Sequence, residues 1–481
     1  MTASYGDDSP IAAFATHPGS SALTLIRCSG NGAVELAAAV FSDSEKLRQA
    51  AGNTVIHGWI IAADDPPDSA EKIDEVLVSV FRVPKSYTGE DCLDISCHGG
   101  IAAGHGVMAA LHTAGFRDAL PGEFTFRAFM NGKLDLTRSE SVMELVSART
   151  DAGRRRAVSR LSGVLKQEID SIKKMLVAVL SGAEIFLDYS EDEIGADDDE
   201  TAGRLPARLL AVEALGRLKK LAASWKRERI YQEGLLAVIA GRPNAGKSSL
   251  FNLLLNEDRS IVTEIPGTTR DWIEGCVSIG GIPLRLADTA GLRESADPVE
   301  KIGVERSREL LDEADLVLYL IDGAAGCTKE DHSLIARLEQ DGAACKPFLL
   351  LWNKADIAPL PSAHKIAPDV TAGGIISVSA KTGVGMAELT VAITAIAEKM
   401  AGTAAAENQQ NAALGSLRQK NLAESAAAAL EEALSLADRE EPLDIIAPLL
   451  RSAVNALGEI TGEVSTAAIL EEMFSRFCVG K

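Results

Sequence analysis

Aromatic residues are scarce, 4% of the chain, while Ala and Leu abound, a balance that leans towards helix. Cysteine is also scant. The seven cysteines are dispersed with no C-x-x-C pair, which argues against a disulfide framework and suits a reducing, cytoplasmic compartment. Basic residues are outnumbered, with 48 Lys and Arg against 69 Asp and Glu, for a net charge of −21. A general polyanion binder is thereby excluded, because phosphate neutralisation supplies most of such affinity; any nucleic-acid contact must be local or shared with a partner. The clusters Arg154-Arg155-Arg156 and Lys226-Arg227-Glu228-Arg229 are read as solvated helix faces. No run approaches the roughly 18 consecutive apolar residues of a membrane span, and Met1 to Pro10 is polar and acidic rather than signal-like. No membrane association is expected.

What is there is long and ordinary in polarity: 481 residues, 46% apolar and 24% charged, enough for roughly three domains. Up to about residue 130 the pattern is mixed α/β. Strands are expected at Ser21–Arg27, Ile73–Val83 and Leu93–Cys97, and a helix at Ile101–Ala114. From Leu136 to Arg229 apolar residues recur at helical spacing, interrupted by the acidic run Glu191–Glu200, read as a loop. Between Leu235 and about Met400 short apolar runs alternate with helical stretches, the pattern of a parallel sheet with crossover helices. A polar linker near Gly402–Asn411 precedes a purely helical stretch, Leu414–Phe474. Two helical stretches flanking an α/β unit suggest insertion of that unit into one discontinuous helical domain; two separate helical domains are the alternative. The expected organisation is 1–131 as an N-terminal α/β domain, 132–232 as the first helical part, 233–400 as an inserted P-loop, Ras-like domain with a mostly parallel sheet, and 401–481 as the second helical part.

The inserted region carries four motifs in order. The strand Leu235–Ala240 runs into Gly241-Arg242-Pro243-Asn244-Ala245-Gly246-Lys247-Ser248 and then a helix from Ser249, the context a phosphate-binding P-loop requires. Its glycines let backbone N–H groups face phosphate oxygens, and the helix N-terminus favours negative charge. Lys247 is expected at the outer phosphates and the Ser248 hydroxyl on Mg²⁺. Asp288-Thr289-Ala290-Gly291 follows the strand Ile282–Ala287; the Asp suits Mg²⁺ coordination through water and the Gly291 N–H the γ-phosphate. Asn353-Lys354-Ala355-Asp356 follows the strand Phe348–Trp352. A carboxylate there accepts from guanine N1–H and the exocyclic amine, which adenine cannot match. Ser379-Ala380-Lys381 follows Ile375–Val378 and can read guanine O6 through its backbone. Together these resemble the translation-factor-type GTPases. Within Gly267-Thr268-Thr269-Arg270-Asp271, Thr269 is the candidate second Mg²⁺ hydroxyl. The position after Asp-x-x-Gly, where many GTPases carry a water-orienting Gln, is Leu292. Water and transition-state charge must be handled otherwise; Arg293, Glu300 and Arg270 are the nearby candidates.

Other blocks extend the resemblance. Ala15-Thr16-His17-Pro18-Gly19, Ile26-Arg27-Cys28-Ser29-Gly30, Tyr87-Thr88-Gly89-Glu90-Asp91, the stretch from Pro121 to Leu136 and the terminal Phe477-Cys478-Val479-Gly480-Lys481 resemble the MnmE (TrmE) family over essentially the whole length. The resemblance implies a homodimeric GTPase that acts on tRNA with the flavoprotein MnmG (GidA), as a heterotetramer. Together they would add an aminomethyl or carboxymethylaminomethyl group at C5 of the wobble uridine. The one-carbon donor would be 5,10-methylene- or 5-formyl-tetrahydrofolate. It also implies that K⁺ replaces an arginine finger. Asn244 would ligate K⁺ through its side chain, and Thr263, Ile265 and Thr268 through backbone carbonyls. Glu300 would bridge to the attacking water. On the residues alone, Asn244 reads as a turn residue and Glu300 as an acid near a helix start.

By the same resemblance GTP or GDP would be held by Asn244, Ala245, Gly246, Lys247, Ser248 and Ser249. Thr263, Glu264, Ile265, Pro266, Gly267, Thr268 and Thr269 would follow from the second loop. Asp288, Thr289, Ala290 and Gly291, then Asn353, Lys354, Ala355 and Asp356, then Ser379, Ala380 and Lys381 would complete the site. Lys247, Thr269 and Glu300 would carry catalysis. The folate site maps onto Arg27, Asp94, Lys133 and Lys481. Asp94 stands where the family commonly has Glu, so its carboxylate reaches one methylene less far. Residue reading alone makes Arg27 a strand-end cation and Lys133 a surface lysine. Cys478 receives no catalytic role. A ribosome-assembly GTPase of the Era or Der type is the alternative, though its expected basic G-x-x-G appendage is missing from the acidic C-terminal segment. A folate-sensing regulator without chemistry is a third reading.

Overall fold

The computed structural model describes residues 5–17, 19–62, 71–188, 205, 207–257, 274–288, 310–340, 346–360, 375–401 and 412–480. The chain divides into two compact units. The first comprises Met1–Met143, Leu161–Leu218 and Leu422–Lys481, the second Glu144–Arg160 and Lys219–Asn421.

In chain order the first sheet is built from β1 (Ile11–Phe14), β2 (Leu23–Ser29), β3 (Thr54–Ile61), β4 (Lys72–Phe81), β5 (Cys92–His98) and β6 (Arg117–Asp118), arranged β3-β4-β5-β2-β1-β6. Helices α1 (Ala33–Ala39), α2 (Ser44–Arg48) and α3 (Ile101–Ala114) accompany it. Period-two alternation decides its faces. Val76, Val78 and Val80 of β4, Leu93 and Ile95 of β5 and Ile26 of β2 point into one core with Val34, Val107 and Leu111 of α1 and α3. The opposite face is half covered. Over β1 it is closed by α4 (Glu123–Met130), whose Phe124 packs on Ile11, Ala13 and Tyr87. Over β2, β5, β4 and β3 it carries Leu23, Arg27, Asp94, Leu77 and Val55; Leu23, Leu77 and Val55 are exposed. The helix α3 has the bounds its sequence suggests, because Gly115 at φ 110° takes the left-handed conformation that stops it. The strands β1 and β3 and the helices α1 and α2 were not singled out from sequence. In β3 the pattern is broken by Gly58, where a Cβ would lie 2.3 Å from the Phe41 ring. That glycine is a packing requirement rather than a turn signal.

Helices α5 (Leu136–Ser147), α6 (Asp151–Leu161), α7 (Val164–Asp188) and α8 (Arg208–Glu233) follow, as the helical periodicity predicts. The second sheet is β7 (Leu235–Gly241), β8 (Glu274–Ile279), β9 (Ile282–Asp288), β10 (Leu316–Asp322), β11 (Phe348–Asn353) and β12 (Ile375–Ser377) in the order β12-β11-β10-β7-β9-β8; its helices are α9 (Lys247–Glu257), α10 (Lys329–Gln340) and α11 (Met386–Ala401). All neighbours are parallel except β8 with β9. Strands buried on both faces read as continuous apolar runs. Accordingly Leu235, Ala237 and Ile239 of β7 pack with Leu250 and Leu254 of α9 and Leu389 of α11, and Leu236 and Val238 with Ile335 of α10 on the other side. The mixed architecture with a mostly parallel P-loop sheet is the fold class expected from sequence.

The chain closes with α12 (Leu417–Asp438), α13 (Leu443–Thr461) and α14 (Ala467–Ser475). In the first unit α13 lies along α7, and ion pairs Lys173–Glu463 and Arg451–Glu184 (2.6 Å) tie these helices. The final segment docks on α4. Phe474 and Phe477 pack with Phe126, Phe129 and Leu136, and the Gly122 N–H donates to the Cys478 carbonyl at 3.2 Å.

One reading of the basic clusters is corrected. Arg154 and Arg155 are solvated and pair with Asp151 on their own helix. Arg156 is not. Its guanidinium lies 3.9 Å over the Tyr231 ring and pairs with Glu228, which is 1% exposed and also binds Arg160 at 2.8 Å. A buried carboxylate between two guanidiniums is a helix-to-helix tie that one-helix periodicity cannot reveal. The acidic run Glu191–Glu200 and the linker 402–411 lie outside the described residues.

Candidate functional site

In an open parallel sheet, ligands gather beyond the carboxyl ends of the strands. In the second unit those ends carry three of the sequence motifs. The P-loop leaves β7 at Gly241 (φ 145°), turns through Asn244 in the left-handed region (φ 62°) and Gly246 (φ 98°), and enters α9 at Lys247. Asn244, Ser248 and Ser249 are exposed and Ala245 and Lys247 buried. The Lys247 ammonium donates to the Gly241 and Arg242 carbonyls at 3.1 and 3.0 Å, folding back on its own loop.

Asn353, 2% exposed, joins the motifs. Its Nδ2 donates to the Ala245 carbonyl at 2.7 Å, and its Oδ1 accepts from the Ala380 N–H at 2.9 Å. Gly246 has to be glycine here, since a Cβ would fall 2.3 Å from Asn353 Nδ2. The Ser379 hydroxyl donates to Asp356 Oδ1 at 2.7 Å and the Ala355 N–H to the Val378 carbonyl at 3.1 Å. Asp356 and Lys381 are both exposed. Lys354 takes the left-handed conformation (φ 64°) and pairs with Asp322 at 2.6 Å. Burial would raise the Asp322 carboxyl, but the Lys354 ammonium and the Ala324 N–H hold it below the usual carboxylate range. Sequence reading missed Asp322. Its signal was available, as an Asp ending the apolar strand Leu316–Asp322. Asp288 ends β9, its backbone in register with Ile239 of β7.

Thr263, Glu264, Ile265, Pro266, Gly267, Thr268, Thr269, Thr289, Ala290, Gly291, Leu292, Glu300 and Lys481 lie outside the described residues. The Mg²⁺ and K⁺ ligand sets are therefore described only at Asn244 and Ser248. These are oxygen donors next to a phosphate-shaped loop, the donor type hard cations take alongside substrate oxygens.

The first unit holds a second cluster. Antiparallel register sets Arg27 of β2 opposite Asp94 of β5 on the open sheet face. The pair is bidentate, Nε–Oδ1 2.9 Å and Nη2–Oδ2 3.0 Å. The guanidinium lies 5.6 Å from the centroid of the Tyr87 ring, a residue the sequence reading had only as part of a family block. The Tyr87 hydroxyl is 2.9 Å from Thr125 Oγ1 of α4, and burial pushes its phenol up. Lys133 is near this loop but turned to it: its ammonium donates to the Pro84 carbonyl at 2.9 Å. Asn131 Nδ2 donates to the Thr88 carbonyl at 2.8 Å. Ser29 and Arg127 both reach Glu90, at 2.7 and 3.2 Å, fastening the 84–91 loop. Gly480 sits against β1, where a Cβ would meet the Phe14 carbonyl at 2.4 Å.

The chain matches two family models, the MnmE helical domain over residues 136–478 and the GTP-binding protein TrmE N-terminus over residues 10–133. The tRNA modification GTPase MnmE of Treponema denticola is 43% identical over 486 residues, covering 99% of each chain. This chain belongs to the MnmE family. Two other MnmE proteins described as tRNA modification GTPases are similar over nearly their whole length. That of Acetivibrio thermocellus is 37% identical, over 99% of this chain and 100% of the relative. That of Carboxydothermus hydrogenoformans is 39% identical, over 98% and 99%. The chain is thus a GTP hydrolase of a tRNA-modifying family, and the Era or Der reading is set aside. Among the described residues no helix is long and apolar enough to cross a membrane.

Proposed function

We propose that this chain is a K⁺-activated GTP hydrolase that works with MnmG (GidA) to add an aminomethyl or carboxymethylaminomethyl group to C5 of the wobble uridine of certain tRNAs. In this reading Asn244 to Ser249 cradle the phosphates, and Lys247 swings from the loop carbonyls to the β- and γ-oxygens. Ser248 and Thr269 hold Mg²⁺. Asp356 accepts from the guanine N1–H and amine, with Ser379 fixing its orientation. Asn244 holds K⁺ with the carbonyls of Thr263, Ile265 and Thr268, and Glu300 orients water. A cation there supplies the charge neutralisation that Leu292 cannot. The observation that carries this reading is the side chain of Asn353, hydrogen-bonded at once to the P-loop and to the Ser379-Ala380-Lys381 loop.

The folate donor belongs, on this proposal, to the open sheet face of the first unit. Arg27 and Asp94 offer a cation and a carboxylate next to an aromatic ring, suited to the polar edge of a pterin and its carbonyl. Lys133 and Lys481 supply charge for a glutamate tail. Both Asp94 oxygens are engaged by Arg27, so Asp94 would meet a ligand only in concert with Arg27. The exposed Leu23, Leu77 and Val55 on the same face support a homodimer closed over it. The bonds between α7 and α13 support one helical domain drawn from 132–232 and 401–481, flanking a G domain at 233–400 and following the N-terminal domain 1–131. The setting is cytoplasmic.

The test is GTP hydrolysis in K⁺ against Na⁺, with and without the flavoprotein. Stimulation by K⁺ that disappears in Asn244→Ala is expected. Equal rates in the two salts would remove Asn244 from the mechanism.

A further inference from the structure

Arg242, the second residue of the P-loop, has no part in the reading above. Its guanidinium lies 3.6 Å from Glu330 and 3.7 Å from Asp331, in the first turn of α10. The two acids differ. Glu330 has an 80% exposed side chain, and such a pair is screened by solvent. Asp331 is 1% exposed. Its Oδ1 accepts from the Tyr319 hydroxyl at 2.9 Å; its Oδ2 accepts from the Thr328 N–H at 2.8 Å and the Thr328 hydroxyl at 2.7 Å. Burial and the Asp331 bond together push the Tyr319 phenol up, so it remains a donor. This carboxylate is a fixed point, pinned to β10 by Tyr319 and to α10 as its capping residue, and Arg242 is the P-loop's ionic link to it.

The loop needs such a link. Residues 241–246 include two positive-φ glycines and the left-handed Asn244, so local preference does not select one shape. Its second half is held by Asn353 through the Ala245 carbonyl. Its first half is held by Lys247, through the carbonyls of Gly241 and Arg242, and those bonds are given up when the ammonium turns to phosphate. The Arg242 side chain, directed away from the loop, adds a tie to α10 that does not depend on Lys247.

We infer that Arg242 is a positioning residue that fastens the first half of the phosphate loop to Asp331 and so lengthens the residence of the bound guanine nucleotide. This rests on the nucleotide-site reading; failure of the unaltered chain to bind GDP would overturn that reading instead. The experiment is stopped-flow release of a fluorescent GDP from the full chain. Arg242→Ala is expected to release it about 3- to 10-fold faster, the size of a contact-pair coupling. Association should stay within about twofold and the melting temperature without nucleotide within roughly a few degrees, because preorganisation acts mainly on dissociation. Arg242→Met, which keeps the stem, should match Arg242→Ala, and Arg242→Lys should restore most of the residence time. Asp331→Asn should resemble Arg242→Ala, and the double variant should release no faster than either single one. Release unchanged in Arg242→Ala and Arg242→Met, additive effects in the double variant, or the whole effect reproduced by Glu330→Gln would each overturn the inference.

Discussion

The guanine-nucleotide site of the second unit and the Arg27–Asp94 site of the first are built in opposite ways. The proposed nucleotide site is assembled from contiguous peptides at the carboxyl ends of β7, β9, β11 and β12. A parallel sheet delivers those ends to one edge, so each peptide arrives nearly complete. The other site lies across the face of an antiparallel sheet. It takes one side chain from β2, one from β5, and a ring from the loop before β5, brought together by register and by a helix closing part of the face. Sites made of backbone at strand ends can be read as motifs. Sites made of side chains across strands cannot be read from the residues themselves until pairing is known; here only the family resemblance had grouped Arg27 with Asp94.

The largest expected effect tests the motif side. Asp356→Asn exchanges an acceptor for a donor where guanine presents two donors, so GTP affinity should fall on the order of 10⁴-fold while xanthosine triphosphate gains. Equilibrium binding of both nucleotides measures it, and GTP affinity kept within tenfold would break the assignment. Lys247→Ala should lower single-turnover hydrolysis by about 10²- to 10³-fold, the effect of removing one transition-state donor. On the other site, Arg27→Ala leaves Asp94 without its partner and should weaken 5-formyl-tetrahydrofolate by about 30-fold in calorimetry, with the GTPase rate unchanged. A parallel loss of GTPase activity would undo the separation of the two sites.

The smallest effect concerns pH, where the regions should differ in sign. Asp322, held low by Lys354 against its burial, contributes stability above the unfolded carboxylate pKa, and that contribution is lost as pH falls through its folded value. His98 is raised, first by its hydrogen bond to Asp74 and then by the Asp74 charge. Its contribution is full below the ordinary imidazole pKa and is lost as pH rises through the folded value. His98 is exposed, so the change is slight. Denaturation midpoints of Asp74→Asn against the unaltered chain should differ more at about pH 5.5 than at about pH 8.5. A difference that grows with pH would contradict the assignment.

Glycines show why sequence reading stopped where it did. Gly100 and Gly115 bracket α3 and mark its ends from sequence alone, because helix termination is a local backbone event. Gly58 inside β3 looks like an interruption and is a seat for the Phe41 ring, which only packing explains. Glu228 looked like one acid in a basic helix face; α6 supplies the two guanidiniums that bury it. Asp322 was visible as a strand-ending acid, yet nothing in its neighbourhood names Lys354, 32 residues on, as its partner.

By itself the sequence determined the order of helical and α/β segments, the P-loop with its strand and helix, the guanine-reading peptides and the family resemblance. All of these depend on near neighbours, whose geometry the covalent chain already limits. Only the tertiary structure decided that Arg27 faces Asp94 beneath Tyr87, that Asn353 ties two loops together, and that Arg242 answers to Asp331. Those pairings come from strand register and helix docking, and their energies arise between residues that the chain leaves free to be anywhere until the cores close.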